Sequence, residues 1–428
     1  MLYERWRETA RDRRSHLALR DLATGRQWTF GELDDAVRTR DESEKLAFPA
    51  GAGAEFILAV LEAWRAGQMV CPLESGQSLP VFDELPSGIA HIKTTSATTG
   101  TARYVLFTAS QLMADAENIV QTMGLSPDCP NLGVISLAHS YGFSNLVLPL
   151  LLHAIPLILA GSGLPEVVRR GAAAASHIAL AAVPALWSTW HEAGAIPANT
   201  RLAISAAAPL PLVLEQQVFQ KCGLKVHNFY GSTECGGIAY DPTAEPRKDE
   251  TCAGMPMKNL QLSVDDRGCL VVRSGAAGEA YWPGSSDALG HGFFRTNDLA
   301  VLSGGMVYLR GRASDQINVA GRKVSPESIE RVLSDHPAVR QCIAFGVPSA
   351  EAERGEMIVA CLVVAGEVNG DALREFLIAR LPAWQIPRDW WFVESLETNR
   401  RGKVSRADWR QRYLERARPG QLNLSTGR

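Results

Sequence analysis

From about residue 100 to residue 310, short apolar runs alternate with longer amphipathic ones, and this alternation constrains the fold more than any other feature of the chain. Residues 104–108 read as a strand, 110–123 as a helix and 132–137 as a strand. Residues 211–222 read as a helix, with Pro211 at its start and Gly223 just past its end. Residues 224–229 predict a strand that runs directly into Tyr230, Gly231, Ser232, Thr233 and Glu234. Strands alternating with helices argue for parallel sheets with the helices on their faces. Ligands in such folds sit at the carboxyl ends of the strands. This sequence concentrates its glycines and hydroxyls there. Past Pro242 the period shortens, and 261–272 and 306–310 look like strands of a smaller β-rich part.

Two regions flank this one. Residues 28–85 contain WTFGELDDAV and then GAGAEFILAVLEAWRAGQMVCPLE. The second piece predicts a helix ending near Gly67 and a short strand closed by Pro72. Gly51 and Gly53 begin a dinucleotide-like fingerprint, but Phe56 stands where its third glycine belongs and no clean strand precedes it. Past Arg312 the texture changes. Ser325 is placed to cap a helix with Pro326 in its first position, running to about Ser334. Strands follow at 341–345 and 357–364, then a helix from Asp371 and a strand at 390–393. The expected class is α/β. Residues 1–313 would form a large N-terminal domain of parallel-type sheets with flanking helices plus a small β-rich subdomain. Residues 314–428 would form a small α+β C-terminal domain.

Composition narrows the functional classes. Hydrophobic residues make up 46% of the chain, enough for large cores. The formal net charge is −3, so no global field draws the protein to nucleic acid or anionic lipid. The first residues, MLYERWRETARDRR, lack the apolar stretch of a secretory signal. The most apolar run, 146–160, is too short to span a bilayer and is interrupted by Pro149, His153 and Pro156. It reads as a buried helix leading into a buried strand. The eight cysteines include no CxxC pair, and no histidine lies at ligand spacing, so neither a zinc site nor a disulfide framework is expected. These features predict a cytoplasmic enzyme without membrane or nucleic-acid partners.

Several segments carry chemistry. Residues 95–103, TSATTGTAR, make a loop whose hydroxyls and amides suit polyphosphate. Residues 230–234, YGSTE, end on a carboxylate, which suits a hard cation. In the stretch 293–330, Asp298 and Arg312 stand in strand-like segments bounded by glycines. A carboxylate can chelate the two hydroxyls of a ribose, and a guanidinium can bond the same sugar or its phosphate. HSYGF at 139–143, SAAAPL at 205–210 and RGKVSR at 401–406 complete the set. No GxxxxGK[ST] loop occurs, which removes the main support for a kinase or P-loop ATPase.

In this order the segments resemble the acyl-adenylate-forming superfamily, which holds the acyl-CoA synthetases, the adenylation domains of peptide synthetases and the luciferases. The resemblance covers nearly the whole chain and is weakest over about the first hundred residues. It implies that Thr95, Ser96, Thr98, Thr99 and Gly100 hold the phosphates of ATP, with Thr99 and Arg103 acting in catalysis. It implies that Ala207 and Ala208 lie against adenine and that Tyr230 stacks on it, with Gly231 and Ser232 beside it. Thr233 would contact the α-phosphate, Glu234 would bind Mg²⁺, and Asp298 and Arg312 would hold the ribose. Lys403 would be the catalytic lysine, reaching the carboxylate and the α-phosphate. His139, Phe143, Ala206, Gly236 and Ile238 would line the acyl pocket, and Gly321 the thiol tunnel, where a missing side chain gives room. Ser314 and Asp315 would be the hinge, in an extended segment. The chain departs from the family pattern at Ala97 and Ala207, where glycine is usual, at Ala102, where proline is usual, and at Arg103, where lysine is usual. Arg103 keeps the positive charge and can grip phosphate with two bonds.

The implied reaction has two steps. A carboxylate attacks the α-phosphorus of MgATP, giving acyl-AMP and pyrophosphate. A thiol, from coenzyme A or from the phosphopantetheine of an acyl carrier protein, then takes the acyl group. Two alternatives stay open: an adenylating enzyme that loads a carrier protein only, and a catalytically weakened nucleotide-binding scaffold. No acidic residue stands near His139 in sequence, which favours a plain carboxylic acid, aryl or aliphatic, over an α-amino acid. Ala206, Ala207, Gly236, Gly237 and Ile238 predict a pocket with small walls.

Overall fold

A computed structural model describes residues 1–38, 44–74, 76–82, 84, 86–95, 103–284, 286–349, 351, 355–397 and 404–416. Six strands of its 14-stranded sheet run parallel, in the order Leu17–Asp21, Leu157–Leu159, Asn131–Gly133, Ile178–Ala182, Thr200–Ser205 and Val226–Ser232. Strands such as LIL and IALAA are buried at every position, as parallel strands covered on both faces must be. One face packs on Trp6, Phe30, Leu33, Phe56 and Leu61, the other on Val168, Trp187, Trp190 and Val218. The apolar run 146–160 forms the helix Leu148–His153 and the strand Leu157–Leu159, both buried as expected.

At Ser232 the chain turns back. Gly236–Tyr240 pairs antiparallel with Val226–Ser232, and Cys252–Pro256, Met306–Arg312, Phe293–Ser303, Cys269–Ser274 and Leu260–Val264 continue the sheet antiparallel. The stretch 261–272 is therefore a hairpin rather than one strand. Asp265 makes its turn by accepting from the amides of Arg267 and Cys269, with Gly268 at φ +81°. Val226–Ser232 is the border between the two halves, and the strand runs three residues further than the sequence suggests, into Tyr230, Gly231 and Ser232.

Other expectations are corrected in detail. Tyr104–Thr108 does not join the parallel sheet. It pairs antiparallel with Ile89–Thr94 on one side and Ala280–Trp282 on the other, in a second sheet. The strand expected at 132–137 stops at Gly133. Ser136 bends the chain, accepting from the amide of Ala138 while donating to the Glu74 carboxylate. Ser325 precedes the helix Pro326–Ser334, but its hydroxyl bonds to Glu327 instead of capping the helix.

The remainder is a hairpin, Ile317–Val319 with Arg322–Val324, and a three-stranded sheet of Val339–Pro348, Glu356–Val364 and Asp389–Phe392. Alternate residues of that sheet face opposite ways. Ala344, Ile358, Ala360 and Leu362 pack under the helices Pro326–Ser334 and Gly370–Ile378, while Phe345, Val347, Val359 and Cys361 pack against Trp409 and Tyr413. This is the smaller C-terminal domain. No helix among the described residues is long and apolar enough to cross a membrane. The eight cysteines are all free.

A buried charge cluster joins the parallel half to the β-rich part. Lys225 pairs with both Glu215 and Asp241, and Arg247 donates to Glu215 at 2.8 Å, to the Leu210 carbonyl at 2.6 Å and to the Cys252 carbonyl at 2.8 Å. Glu215 and Asp241 are fully buried. Removing Glu215 leaves the buried Arg247 without its carboxylate partner and Lys225 with Asp241 alone. Glu215→Ala is therefore expected to lower stability by about 3–5 kcal/mol, read from denaturant unfolding of the purified variant.

Candidate active site

The sheet border creates the site. Asp298 and Arg312 are 14 residues apart in sequence but directly opposite each other across the strands Phe293–Ser303 and Met306–Arg312. The Arg312 Nε donates to Asp298 Oδ1 at 3.1 Å, and the Tyr230 hydroxyl donates to Asp298 Oδ2 at 2.5 Å. Burial first, and the Asp298 charge second, push the Tyr230 phenol well above its usual range, so it stays a donor. A carboxylate has about four lone-pair sites, so two remain for a diol after these bonds.

Glu234 sits in the turn between Val226–Ser232 and Gly236–Tyr240. Its carbonyl accepts from the Gly278 amide at 2.8 Å, and its carboxylate Oε1 accepts from the Tyr281 hydroxyl at 3.1 Å. The other oxygen is left for a cation. Among the described residues no group of three or more His, Cys, Asp or Glu could hold a metal alone. A single carboxylate fits a magnesium ion that takes its other ligands from nucleotide phosphates and water. Thr233 lies beside Ser140, hydroxyl to hydroxyl at 3.5 Å, so the segment after His139 meets the YGSTE turn.

Only the two ends of the loop expected to hold phosphate, Thr95 and Arg103, are among the described residues. The amide and hydroxyl of Thr95 both donate to the Arg103 carbonyl at 2.9 Å, next to the antiparallel pair Ile89–Thr94 and Tyr104–Thr108. The Arg103 guanidinium rests over the Tyr281 ring, 4.1 Å from its centre. Ser96, Thr98, Thr99 and Gly100 lie outside the described residues, as does Lys403. Arg406, three residues past Lys403, is anchored: it donates to the Ala344 carbonyl at 2.9 Å and pairs with Asp315, with Glu327 at 3.2 Å and with Glu330 at 2.9 Å. Ser314 and Asp315 occupy a 3₁₀ turn, Ala313–Asp315, not the extended segment expected. The Ser314 hydroxyl accepts from Asn297 at 2.6 Å and donates to Asp315 at 2.8 Å, and these bonds hold the turn.

Ala206 is buried beside Phe229, Tyr141 and Met257, and Ala208 is exposed. Ala207, where glycine was expected, has φ +70°. Phe143 is fully buried between Phe56 and His91, its ring centre 6.5 Å and 4.3 Å from theirs. His139 heads a short helix and accepts from the Tyr141 amide at 3.3 Å. Ile238 is fully buried. The glycines do not give the room expected of small walls. A Cβ on Gly236 would stand 1.9 Å from Asp115 Oδ1, and one on Gly237 would stand 2.3 Å from Met257 Sδ. Their missing side chains let neighbours pack close. At Gly321, expected beside the thiol, a Cβ would meet nothing within 4 Å, and φ is +81° in the two-residue turn Ala320 and Gly321.

Sequence reasoning missed Lys93, Asp115 and Ser144. Lys93 and Asp115 are each 2% exposed and 3.3 Å apart, and Ser144 donates to Asp115 at 2.5 Å. The signal was a lysine inside the strand IAHIKT, between Ile92 and Thr94. Tyr281 was missed as well, since nothing in AYW marks it.

Residues 58–290 match the AMP-binding enzyme family, and residues 328–403 match the AMP-binding enzyme C-terminal domain. The chain belongs to the AMP-binding enzyme family. It is similar to the probable 2-succinylbenzoate–CoA ligase of Mycobacterium tuberculosis, 28% identical over 87% of this chain and 99% of that protein. It is also similar to the feruloyl-CoA synthase of an Amycolatopsis species, 25% identical over 89% and 81%. Among solved structures, ATP-bound MatB from Rhodopseudomonas palustris aligns with a TM-score of 0.83, at 19% identity over 96% of this chain and 98% of that one. The o-succinylbenzoate CoA synthetase MenE from Bacillus subtilis, in complex with its acyl-adenylate intermediate, aligns at 0.81, with 19% identity over 95% and 97%. These structures share the fold, with its large N-terminal and smaller C-terminal domains.

Ala207 carries a strain that the family's usual glycine would not. A left-handed alanine costs about 1–2 kcal/mol, part of which glycine's freedom in the unfolded chain cancels. Ala207→Gly is expected to stabilise the protein by about 1 kcal/mol. Denaturant melts of the two proteins, side by side, measure it, and an unchanged midpoint would show the turn relaxing around the methyl.

Proposed function

We propose that this chain is an AMP-forming acid–thiol ligase of the cytoplasm, converting a carboxylic acid and ATP to acyl-AMP and pyrophosphate and then to a thioester of coenzyme A. The observation that carries the reading is the Asp298 carboxylate, held by Tyr230 and Arg312 with lone pairs to spare where the parallel sheet ends. That arrangement suits the two hydroxyls of a ribose. Family membership and the CoA ligases among the relatives support the same reaction. Residues 1–313 act as the adenylation domain and 314–428 as the mobile domain that turns about Ser314 and Asp315.

In the first step an oxygen of the acid forms a bond to the α-phosphorus and pyrophosphate leaves. Positioning and charge neutralisation supply most of the catalysis. Asp298 and Arg312 fix the ribose, Tyr230 stacks on adenine, and Thr233 bonds the α-phosphate. Thr95, Ser96, Thr98, Thr99, Gly100 and Arg103 hold the β- and γ-phosphates. Lys403 bonds the acid and the α-phosphate as charge develops there. Glu234 would hold Mg²⁺, which would supply positive charge to the phosphates. In the second step the thiolate sulfur bonds the acyl carbon, the bond from that carbon to the AMP oxygen breaks, and AMP leaves. The acid enters beside His139 and Ala206. Asp115, the carboxylate behind Gly236, is already paired with Lys93, so it is not free to hold an amino group, and a plain aryl or aliphatic acid fits better than an amino acid.

Pyrophosphate release across a panel of aryl and aliphatic acids tests the reading, followed by thioester detection with free coenzyme A. An acyl-AMP that reacts only with a carrier protein would replace coenzyme A as acceptor. ATP binding without pyrophosphate from any acid would favour a scaffold. Lys403→Ala is expected to abolish acyl-AMP formation while largely sparing thioester formation from supplied acyl-AMP. Equal losses in both steps would remove Lys403 from the chemistry. Glu234→Gln is expected to lower the adenylation rate by about 10²-fold or more and to shift its Mg²⁺ titration. An unmoved titration would take Glu234 out of the metal site.

A further inference from the structure

Tyr281 touches both charged groups that the proposed reaction aims at the triphosphate. Its hydroxyl donates to Glu234 Oε1 at 3.1 Å, and its ring lies under the Arg103 guanidinium at 4.1 Å. The backbone gives this contact a fixed register. Ala280–Trp282 pairs with Tyr104–Thr108, Tyr281 opposite Val105, and so runs beside the strand that Arg103 leads into. The Glu279 amide donates to the Leu106 carbonyl and the Gly278 amide to the Glu234 carbonyl, both at 2.8 Å. A Cβ on Gly278 would stand 2.7 Å from Val105 Cγ1, so the segment is pressed against that strand and has little freedom to slide. The Glu234 turn and the phosphate-loop hairpin belong to different sheets, and the segment 278–282 bonds to both.

We infer that Tyr281 is a positioning residue that couples the magnesium ligand Glu234 to the phosphate-loop cation Arg103, setting the spacing at which the two meet the phosphates of ATP. The inference rests on the function proposed above. Tyr281 does its two tasks with different parts. The hydroxyl occupies one carboxylate oxygen and turns the other toward the cation, as partners behind a metal ligand do. The ring face holds the guanidinium by attraction between cation and π-system, which keeps a flexible side chain near one place.

The two tasks separate by substitution. Tyr281→Phe keeps the ring and loses the hydroxyl; Tyr281→Leu loses both. Calorimetric titration of the full chain with ATP over a series of Mg²⁺ concentrations reads each task without knowledge of the acid. Tyr281→Phe is expected to raise the Mg²⁺ concentration for half-maximal ATP binding by about tenfold, with the Kd for ATP at saturating Mg²⁺ unchanged. Tyr281→Leu is expected to show the same shift and, in addition, to raise that Kd by about threefold. A residue with a merely structural role would move both quantities together in both variants, which would overturn the inference. Glu234→Gln is the control. If it shifts the Mg²⁺ dependence while Tyr281→Phe does not, the role of Tyr281 falls and the proposed function stands. If neither shifts it, the assignment of Glu234 to the metal falls first and takes this inference with it.

Discussion

The Asp298 carboxylate accepts from Tyr230 on one oxygen and from Arg312 on the other, and through those bonds it ties the last parallel strand to the β-rich part and to the turn that leads out of it. Tyr230 stands at the end of Val226–Ser232, where the sheet changes from parallel to antiparallel. A change of pairing at a strand end opens the space that a ligand can enter, and the residues placed there are the ones whose polar groups point out of the sheet. Arg312 is the last residue before the 3₁₀ turn holding Ser314 and Asp315. On the proposed reading, a ribose held by Asp298 and Arg312 would lie two residues along the chain from Ser314.

Small residues in this site serve close packing. Gly236 admits the Asp115 carboxylate, Gly237 admits Met257 and Phe229, and Gly231 admits the backbone of Gly236. The buried Lys93, Asp115 and Ser144 trio stands directly behind the turn that carries Glu234 and satisfies charges that would otherwise be costly in the core. A glycine read as space in the sequence is here space already filled by a neighbour from a distant segment.

Much of the site was legible because its residues are contiguous or sit in recognisable company. YGSTE, the hydroxyl-rich loop after residue 94, and the Asp298 and Arg312 pair each announce chemistry through residue type and local spacing. The helices at 110–123 and 326–334 were legible from apolar period and from proline at the start. Less legible was the pairing of strands. Tyr104–Thr108 has the composition of a parallel core strand, yet it pairs antiparallel with Ile89–Thr94 and with Ala280–Trp282. Nothing local distinguishes those cases, because strand composition reports burial and not the direction of the neighbour.

The amino-acid sequence alone determined the class of fold, the order of the chemical segments and the identity of the charged groups, because each depends on residues within a few positions of one another. Tertiary structure decided which groups meet. Tyr281 reaches Glu234 from 47 residues away, Arg406 reaches Asp315 from 91, and Ser140 reaches Thr233 from 93. It also decided that Gly236 faces a carboxylate and that Ala207 must bear a left-handed backbone. Contacts of this kind arise when sheets pack and strands find their register, and no periodicity or motif along the chain encodes which side chain will stand opposite another once they do.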